Sequence, residues 1–176
     1  MAKYSGHSAM KRIMIIGSGG SGKSTLARKL GIQLNLPVHH LDAHMWKRDW
    51  QLSSREEQKS IQQKLMQGDE WIIDGNYSGT MDVRLNEADT VIFLDISKRI
   101  CIYQAIRRYW HNRGVVRPDM AEGCTEKLDL EFLSWIWNFP QNKKPGIMQK
   151  LNQLPSDQQL IILKSPRQIE KFIQSL

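Results

Sequence analysis

Gly17-Ser-Gly-Gly-Ser-Gly22-Lys23-Ser24 matches the spacing G-x-x-x-x-G-K-[ST] at every fixed position. Few strings of this length restrict a fold as much. Glycines at these places let backbone N–H groups turn inward around an anion. The helix that follows adds the positive end of its dipole. A strand must therefore end at the loop, and a helix must begin inside it. The flanking residues meet both conditions. Lys11-Arg-Ile-Met-Ile-Ile-Gly17 is a short, nearly continuous apolar run, the pattern of a strand buried on both faces. Beyond Gly22, Leu26 and Leu30 recur at helical spacing, and Asn35-Leu36-Pro37 ends the helix.

The remaining chain keeps alternating. Val38 to Leu41 reads as a second strand. Ser53-Ser-Arg-Glu56 has the form of a capping box, and Ile61 and Leu65 follow on one helical face. Trp71-Ile-Ile-Asp74-Gly75 is a third strand and Thr90 to Asp95 a fourth. Ser97 is placed to cap the next helix, with Ile96, Ile100, Tyr103 and Trp110 as its apolar face. Gly114 to Thr125 is rich in turn residues. Leu128 to Phe139 predicts a mostly buried helix, with Trp135 and Trp137 in its core. Pro145-Gly146 and Leu154-Pro155 punctuate the stretch after it. Gln159 to Leu163 is a fifth strand, and Ser165-Pro166 opens a last helix. Such alternation implies a parallel sheet covered by helices on both faces. The expected fold is α/β, a three-layer α/β/α P-loop NTPase fold with a five-stranded parallel sheet. Residues 1–9 read as a flexible leader and 10–176 as one kinase-like domain. A helical lid insert is expected at about 107–155.

Composition narrows the class. The chain has 176 residues, 40% hydrophobic and 24% charged, which excludes a disordered or fibrous chain. No apolar run approaches the roughly 18 residues of a membrane span. The N-terminal residues lack the apolar segment of a secretory signal. Cys101 and Cys124 are the only cysteines, which suits a reducing cytoplasm and no disulfide framework. Lys plus Arg outnumber Asp plus Glu by 25 to 18. Between Ile96 and Pro118 there are six basic residues and no acidic one. Such a block points to a polyanion, either nucleic acid or the phosphates of a small ligand.

The P-loop assigns roles by residue type. Gly17, Ser18, Gly19, Gly20, Ser21, Gly22, Lys23, Ser24 and Thr25 form the expected nucleotide-binding set. Lys23 would meet the β- and γ-phosphates of ATP, and the Ser24 hydroxyl would ligate Mg²⁺. Guanine recognition needs an Asn-Lys-x-Asp segment, and Asn142-Lys-Lys-Pro145 carries proline instead. No Asp-x-x-Gly occurs, so a GTPase is not expected. The length leaves little room for a motor or remodelling ATPase, and a small kinase fits best.

Such a kinase needs a carboxylate on the magnesium side. Asp74 and Asp95 both end strands. With the third strand beside the first, Asp74 would emerge next to the P-loop, and Asp95 would cap the next helix or orient the loop. Asp42 lies past the second strand, at the carboxyl edge where ligands bind in open α/β sheets. It would accept a substrate hydroxyl proton, or else cap a turn. Tyr77 lies near the expected acceptor. Arg84 would grip a substrate anion, or else lie on the surface. Arg107, Arg108, Arg113 and Arg117 flank the turn-rich segment. Arg107 first and Arg113 second are expected at the phosphates. Trp46 and Trp50 would stack on a ring or pack in a hinge. His39, His40 and His44 lack the partners of a tetrahedral zinc set.

Taken together, the P-loop, His40-Leu-Asp42, Trp71-Ile-Ile-Asp-Gly-Asn76-Tyr-Ser, Val91-Ile-Phe-Leu-Asp95, Arg117-Pro-Asp-Met-Ala-Glu-Gly123 and Ser165-Pro-Arg resemble the DNA topology modulation protein (FlaR-related) family. These are small P-loop proteins similar to adenylate and shikimate kinases. The resemblance covers nearly all of residues 10–176. It implies an adenylate-kinase-like fold, ATP binding and a flap over the active site. Nucleoside monophosphate kinases carry Asp-Gly-Phe-Pro-Arg after the third strand. Here Asn-Tyr-Ser-Gly-Thr follows Asp74-Gly75 and no arginine comes before Arg84, which points away from AMP. Two functional readings follow. One is Mg-dependent phosphoryl transfer from ATP to a small hydroxyl or phosphate acceptor, a nucleoside, nucleotide or metabolite. The other is an ATP-binding, nucleic-acid-associated regulator of DNA topology.

Overall fold

Ile13, Met14, Ile15 and Ile16 are wholly buried, because β1 (Arg12–Gly17) runs through the centre of a parallel sheet with helices on both sides. The computed structural model describes residues 10–112, 117–125 and 129–176. The expected leader, 1–9, and Arg113 lie outside the described residues. The other strands of the main sheet are β2 (Val38–His40), β5 (Trp71–Asp74), β6 (Thr90–Leu94) and β7 (Gln159–Leu163). Their order is β2-β5-β1-β6-β7, and every pairing is parallel. Ile15 stands opposite Asp74, and His40 opposite Asp74 on its other side. The third strand of the sheet therefore lies beside the first, and its last residue comes out next to the P-loop.

One apolar layer joins α1 (Lys23–Leu34), α5 (Lys98–His111) and α8 (Pro166–Gln174) to the sheet through Leu26, Leu30, Cys101, Ala105 and Phe172. The opposite layer uses α2 (Leu41–Met45), α4 (Met81–Leu85) and α7 (Lys144–Leu151). Full burial of one such aliphatic side chain is worth about 1.5–3 kcal/mol. Sheet and layers thus agree with the α/β/α expectation. Among the described residues no helix is long and apolar enough to cross a membrane.

Several local readings are corrected. The capping box that opens α3 (Arg55–Leu65) is one residue later than read. Ser54 Oγ accepts from Glu57 N at 3.2 Å, and Glu57 Oε2 accepts from Ser54 N at 2.8 Å. Tyr103 and Trp110 are exposed, since Cys101 and Ala105 supply the face of α5 that meets the sheet. On α6 (Leu130–Asn142), Trp137 is also exposed, under the Lys98 ammonium 3.8 Å from its ring. Pro145 and Gly146 do not interrupt a helix but lie in the first turn of α7, where proline's missing N–H is harmless. Phe139, Ile147 and Leu151 of α6 and α7 are buried in the second core. The segment after Asp42 holds α2 and a small antiparallel hairpin, β3 (Trp46–Lys47) with β4 (Gln51–Leu52). Neither was legible as a periodic pattern.

Candidate functional site

The P-loop opens α1 with Gly22 at φ 95°. Gly20, at φ 71°, passes so close to α5 that a Cβ would lie 2.2 Å from the Cys101 carbonyl oxygen. Only glycine fits there. Ser18 and Ser21 are buried. Gly17 N–H donates to Asn76 Oδ1 at 2.9 Å, which ties the loop to the segment after β5. Lys23 Nζ donates to the Ser18 carbonyl at 2.8 Å. Burial lowers its pKa, opposed by the charges of Asp42 and Asp74.

Ser24 Oγ donates to Asp74 Oδ2 at 2.8 Å, and His40 Nδ1 meets Asp74 Oδ1 at 2.5 Å. Asp74 is thus the strand-end carboxylate beside the loop. Burial disfavours the His40 cation, but the hydrogen bond and charge of Asp74 outweigh it and hold its pKa above the ordinary value. Asp95 is elsewhere, paired with Lys144 at 2.8 Å, while Ser97 caps α5. The His39 and His44 rings stand 6.3 Å apart. Among the described residues no group of three or more His, Cys, Asp and Glu is arranged to hold a metal by itself. Ser24 and Asp74 present hard oxygens in contact. That fits Mg²⁺, which takes one or two carboxylates and completes its shell with water and phosphate oxygens.

Asp42 sits in the first turn of α2, close enough to Lys23 and Asp74 for their charges to act on it. Tyr77 Oη donates to Asp42 Oδ1 at 2.7 Å. Burial raises the Asp42 pKa above the ordinary carboxylate value. The Tyr77 bond and the Lys23 charge pull the other way without cancelling it. The Tyr77 pKa is raised by burial and by the neighbouring Asp42 charge.

Arg84 is the clearest correction. It is fully buried and neither grips an anion nor lies on the surface. Its Nε donates to Gln62 Oε1 at 2.6 Å, and its two terminal nitrogens donate to the Gly75 and Asn76 carbonyls at 2.6 and 2.7 Å. Burial lowers its pKa to about 9. Its fork shapes the turn between Asp74 and Tyr77, so its work is structural.

One cleft of about 1220 Å³ unites these groups. Gly19, Gly20, Gly22, Lys23, Ser24 and Thr25 line one side, with Arg107 and Arg108 of α5. Asp42, Trp46, Trp50, Asn76 and Tyr77 line another. The segment 117–125 closes over them. Its Asp119 is buried, paired with Arg117 at 3.0 Å and hydrogen-bonded to Ser24. Burial alone would raise the Asp119 pKa, but Arg117 and Ser24 lower it on balance. Phe132 and Trp135 of α6 stack at 6.2 Å, and Phe132 abuts Gly19.

His40, Asn76, Asp119 and Phe132 were not foreseen as site residues. Asn76 and Asp119 lie inside motifs quoted above, and His40 lies two residues before Asp42. Phe132 carried no signal, since only packing brings α6 over the loop.

The sheet order and the loop at the end of β1 define a P-loop NTPase of small-kinase architecture. The chain belongs to the NB-ARC domain family, whose pattern matches residues 3–125. No curated protein matches the sequence. Among solved structures, the chain is similar to a shikimate kinase from Acinetobacter baumannii in complex with shikimate, with TM-score 0.63 and 12% identity. That match covers 96% of this chain and 92% of the other. A shikimate kinase from Bacteroides thetaiotaomicron gives TM-score 0.57 and 19% identity, over 95% and 96% of the two chains. A putative kinase from Chloroflexus aurantiacus gives 0.53 and 17%, over 94% and 96%. At these identities the likeness establishes the fold.

Proposed function

We propose that the chain is a magnesium-dependent phosphotransferase that moves the γ-phosphoryl group of ATP to a small acceptor held at Asp42. One observation carries this reading. A half-buried carboxylate, oriented by the Tyr77 hydroxyl, faces the P-loop lysine inside the same cleft. The cleft exceeds the roughly 300–1,000 Å³ usual for one ligand, which leaves room for two.

The chain's own residues divide the work. The backbone N–H groups of Gly19 to Thr25 bind the phosphates, and Lys23 supplies charge at the β and γ positions. Ser24 and Asp74 would hold Mg²⁺, which when bound neutralises charge on the phosphate oxygens. Asp42 receives the proton of the acceptor hydroxyl as its oxygen attacks the γ-phosphorus. The bond to the β-phosphate bridging oxygen breaks and ADP leaves. Arg107, with Arg108 and Arg117, faces the charge spread over the transferring group. Arg113, the second phosphate candidate, lies outside the described residues. Phe132 and Trp135 on one side, and Met120 on the other, exclude water from the transfer.

Half of the six cations in the basic block, Arg107, Arg108 and Arg117, line the cleft. That supports a nucleotide rather than an extended nucleic acid as their partner. The narrower kinship with the FlaR-related proteins rests on the Asp74-Gly-Asn-Tyr and Arg117 to Gly123 segments alone.

The test is ADP release from Mg-ATP in a coupled assay, with and without a panel of acceptors, beside Lys23→Ala. Acceptor-dependent release that disappears in the variant is the expected result. ATP binding and turnover unchanged by Lys23→Ala would sink the reading.

A further inference from the structure

The acceptor side of the cleft is built from aromatic rings and carboxylates. Trp46 and Trp50 flank a two-residue strand and a tight turn, and their rings meet edge to face at 5.5 Å and 68°. Both are half-buried and both line the cleft. The turn is strained. Asp49 and Trp50 have φ 60° and 58°, and Tyr77, across the cleft wall, has φ 39°. A non-glycine residue held this way is strained and persists only where its surroundings over-determine it. Among the described residues the remaining such residue, Asn35, is the C-cap of α1, where this conformation is ordinary. Met120, Ala121 and Cys124 of the covering segment pack against both indoles, and Cys124 Sγ donates to the Lys47 carbonyl at 3.3 Å. The fold thus holds two indoles and a phenol in fixed positions beside Asp42.

Charge points the same way. Asp42 and Asp119 both line the cleft, Asp42 beside Tyr77 and Asp119 hydrogen-bonded to Ser24. The Arg117 guanidinium is engaged by Asp119 at 3.0 Å. Arg84, the nearest guanidinium in sequence to Tyr77, is buried on Gln62 and two backbone carbonyls. The other guanidiniums on the cleft among the described residues, Arg28, Arg107 and Arg108, stand on α1 and α5, the helices flanking the P-loop. A like-charge contact is unfavourable near a protein surface, where water screens it less than in bulk. An acceptor bringing its own phosphate or carboxylate would meet the Asp42 carboxylate here, and Lys23 and Arg117, the cations that act on Asp42, are engaged by the γ-phosphoryl group and by Asp119. A neutral ring would gain from each face stacked on an aromatic side chain.

We infer that the acceptor is a neutral, flat-ringed alcohol of nucleoside type, its ring against the Trp46–Trp50 pair and its hydroxyl on Asp42 beside Tyr77. This rests on the phosphotransferase reading and adds the substrate class to it. The hydroxyl oxygen bonds to the γ-phosphorus, its proton passes to Asp42, and ADP carries away the bond electrons. The acceptor leaves as its phosphate monoester. The product is anionic where the substrate is neutral, so the Asp42 carboxylate that admits the substrate also favours release of the product.

The experiment uses the full chain with Mg-ATP and five probes: adenosine, thymidine, their 5′-monophosphates, and shikimate. ADP release is measured for each. Binding is measured separately by tryptophan fluorescence, with a non-hydrolysable ATP analogue in place of ATP. At least one nucleoside should give ADP release 10-fold or more above its own monophosphate and above shikimate. Trp50→Leu should raise the KM for that nucleoside at least 10-fold and leave the Kd for the ATP analogue within twofold. Trp50→Phe, which keeps a ring, should stay near the parent, and a melting curve for each variant shows that it has folded. Preferred turnover of a monophosphate or of shikimate would overturn the acceptor class and keep the phosphotransferase. Nucleoside binding that depends on Trp50 without ADP release would keep the ring site and overturn the phosphotransferase. Failure of both nucleosides to bind overturns the inference.

Discussion

The Tyr77 hydroxyl donates a 2.7 Å hydrogen bond to Asp42 from a backbone held at φ 39°. Two segments 35 residues apart in the chain thus cooperate on one carboxylate. Asp42 needs that partner because burial pushes its pKa up and the hydrogen bond pulls it down. A base held this way is oriented toward its proton and sits above the ordinary carboxylate range.

Tyr77→Phe removes the bond and leaves burial unopposed by it. The Asp42 pKa should rise further, so a larger fraction is protonated at a given pH. The acid limb of the kcat/KM profile should then move to higher pH. A hydrogen bond to a charged group is worth about 1.5–3 kcal/mol, which predicts a loss of roughly tenfold or more in kcat near neutrality. A pH profile that superimposes on the parent would show that Tyr77 does not act on Asp42.

Asp42→Asn separates activity from stability. General-base catalysis contributes about 10²–10⁴-fold, and kcat should fall within that range. A carboxyl whose folded pKa is raised destabilises the fold progressively as pH climbs from its unfolded pKa to its folded pKa, and fully above that, because the folded state resists ionisation. Above it, asparagine should therefore raise the melting temperature while activity falls. The two quantities are read on the same preparation. A large drop in melting temperature would place Asp42 among the structural residues.

Arg84 should behave oppositely. Arg84→Met strands the Gln62 side-chain oxygen and two backbone carbonyls, each costing about 1–3 kcal/mol when buried without a partner. Urea unfolding should show a loss of about 3 kcal/mol or more. Arg84→Lys should not recover it, since one ammonium cannot reproduce a three-direction fork. An unchanged unfolding midpoint, with a raised acceptor KM, would return Arg84 to the anion-gripping role.

Two glycines of the P-loop separate space from conformation. A methyl at Gly20 meets the Cys101 carbonyl at 2.2 Å, whereas nothing lies within 4 Å of one at Gly22. Both have positive φ. Gly22→Ala should cost about 1–3 kcal/mol from backbone strain alone. Gly20→Ala should cost more, and nucleotide affinity should drop with it as α5 is pushed off the loop. Calorimetric unfolding and ATP titration of the pair decide the ranking, and equal effects would contradict it.

The fold was legible where local chemistry repeats. Continuous apolar runs at Ile13 to Ile16 and Thr90 to Leu94 mark strands buried on both faces, and Ser97 and Ser165 mark helix starts. The region from Asp42 to Leu52 was not legible, because α2 and the hairpin are too short to show a period. Tyr103 and Trp110 misled for a different reason. Aromatic residues at helical spacing look like a core face, but here the small residues Cys101 and Ala105 let the helix approach the sheet.

The sequence by itself determined the anion-binding loop, the strand before it, and the placing of Asp74 at the third strand's end. Each depends on residues adjacent in the chain, whose backbone conformations and periodicities are set locally. Tertiary structure decided what each polar side chain touches. Arg84 reads as an exposed cation until Gln62 and two carbonyls enclose it. His40 reads as one of three neighbouring histidines until the register of β2 on β5 sets it against Asp74. Asp119 becomes part of the site only when its segment folds over Ser24. These contacts join residues from eight positions to several tens of positions apart. Their energies come from burial and mutual orientation, which have no local signature.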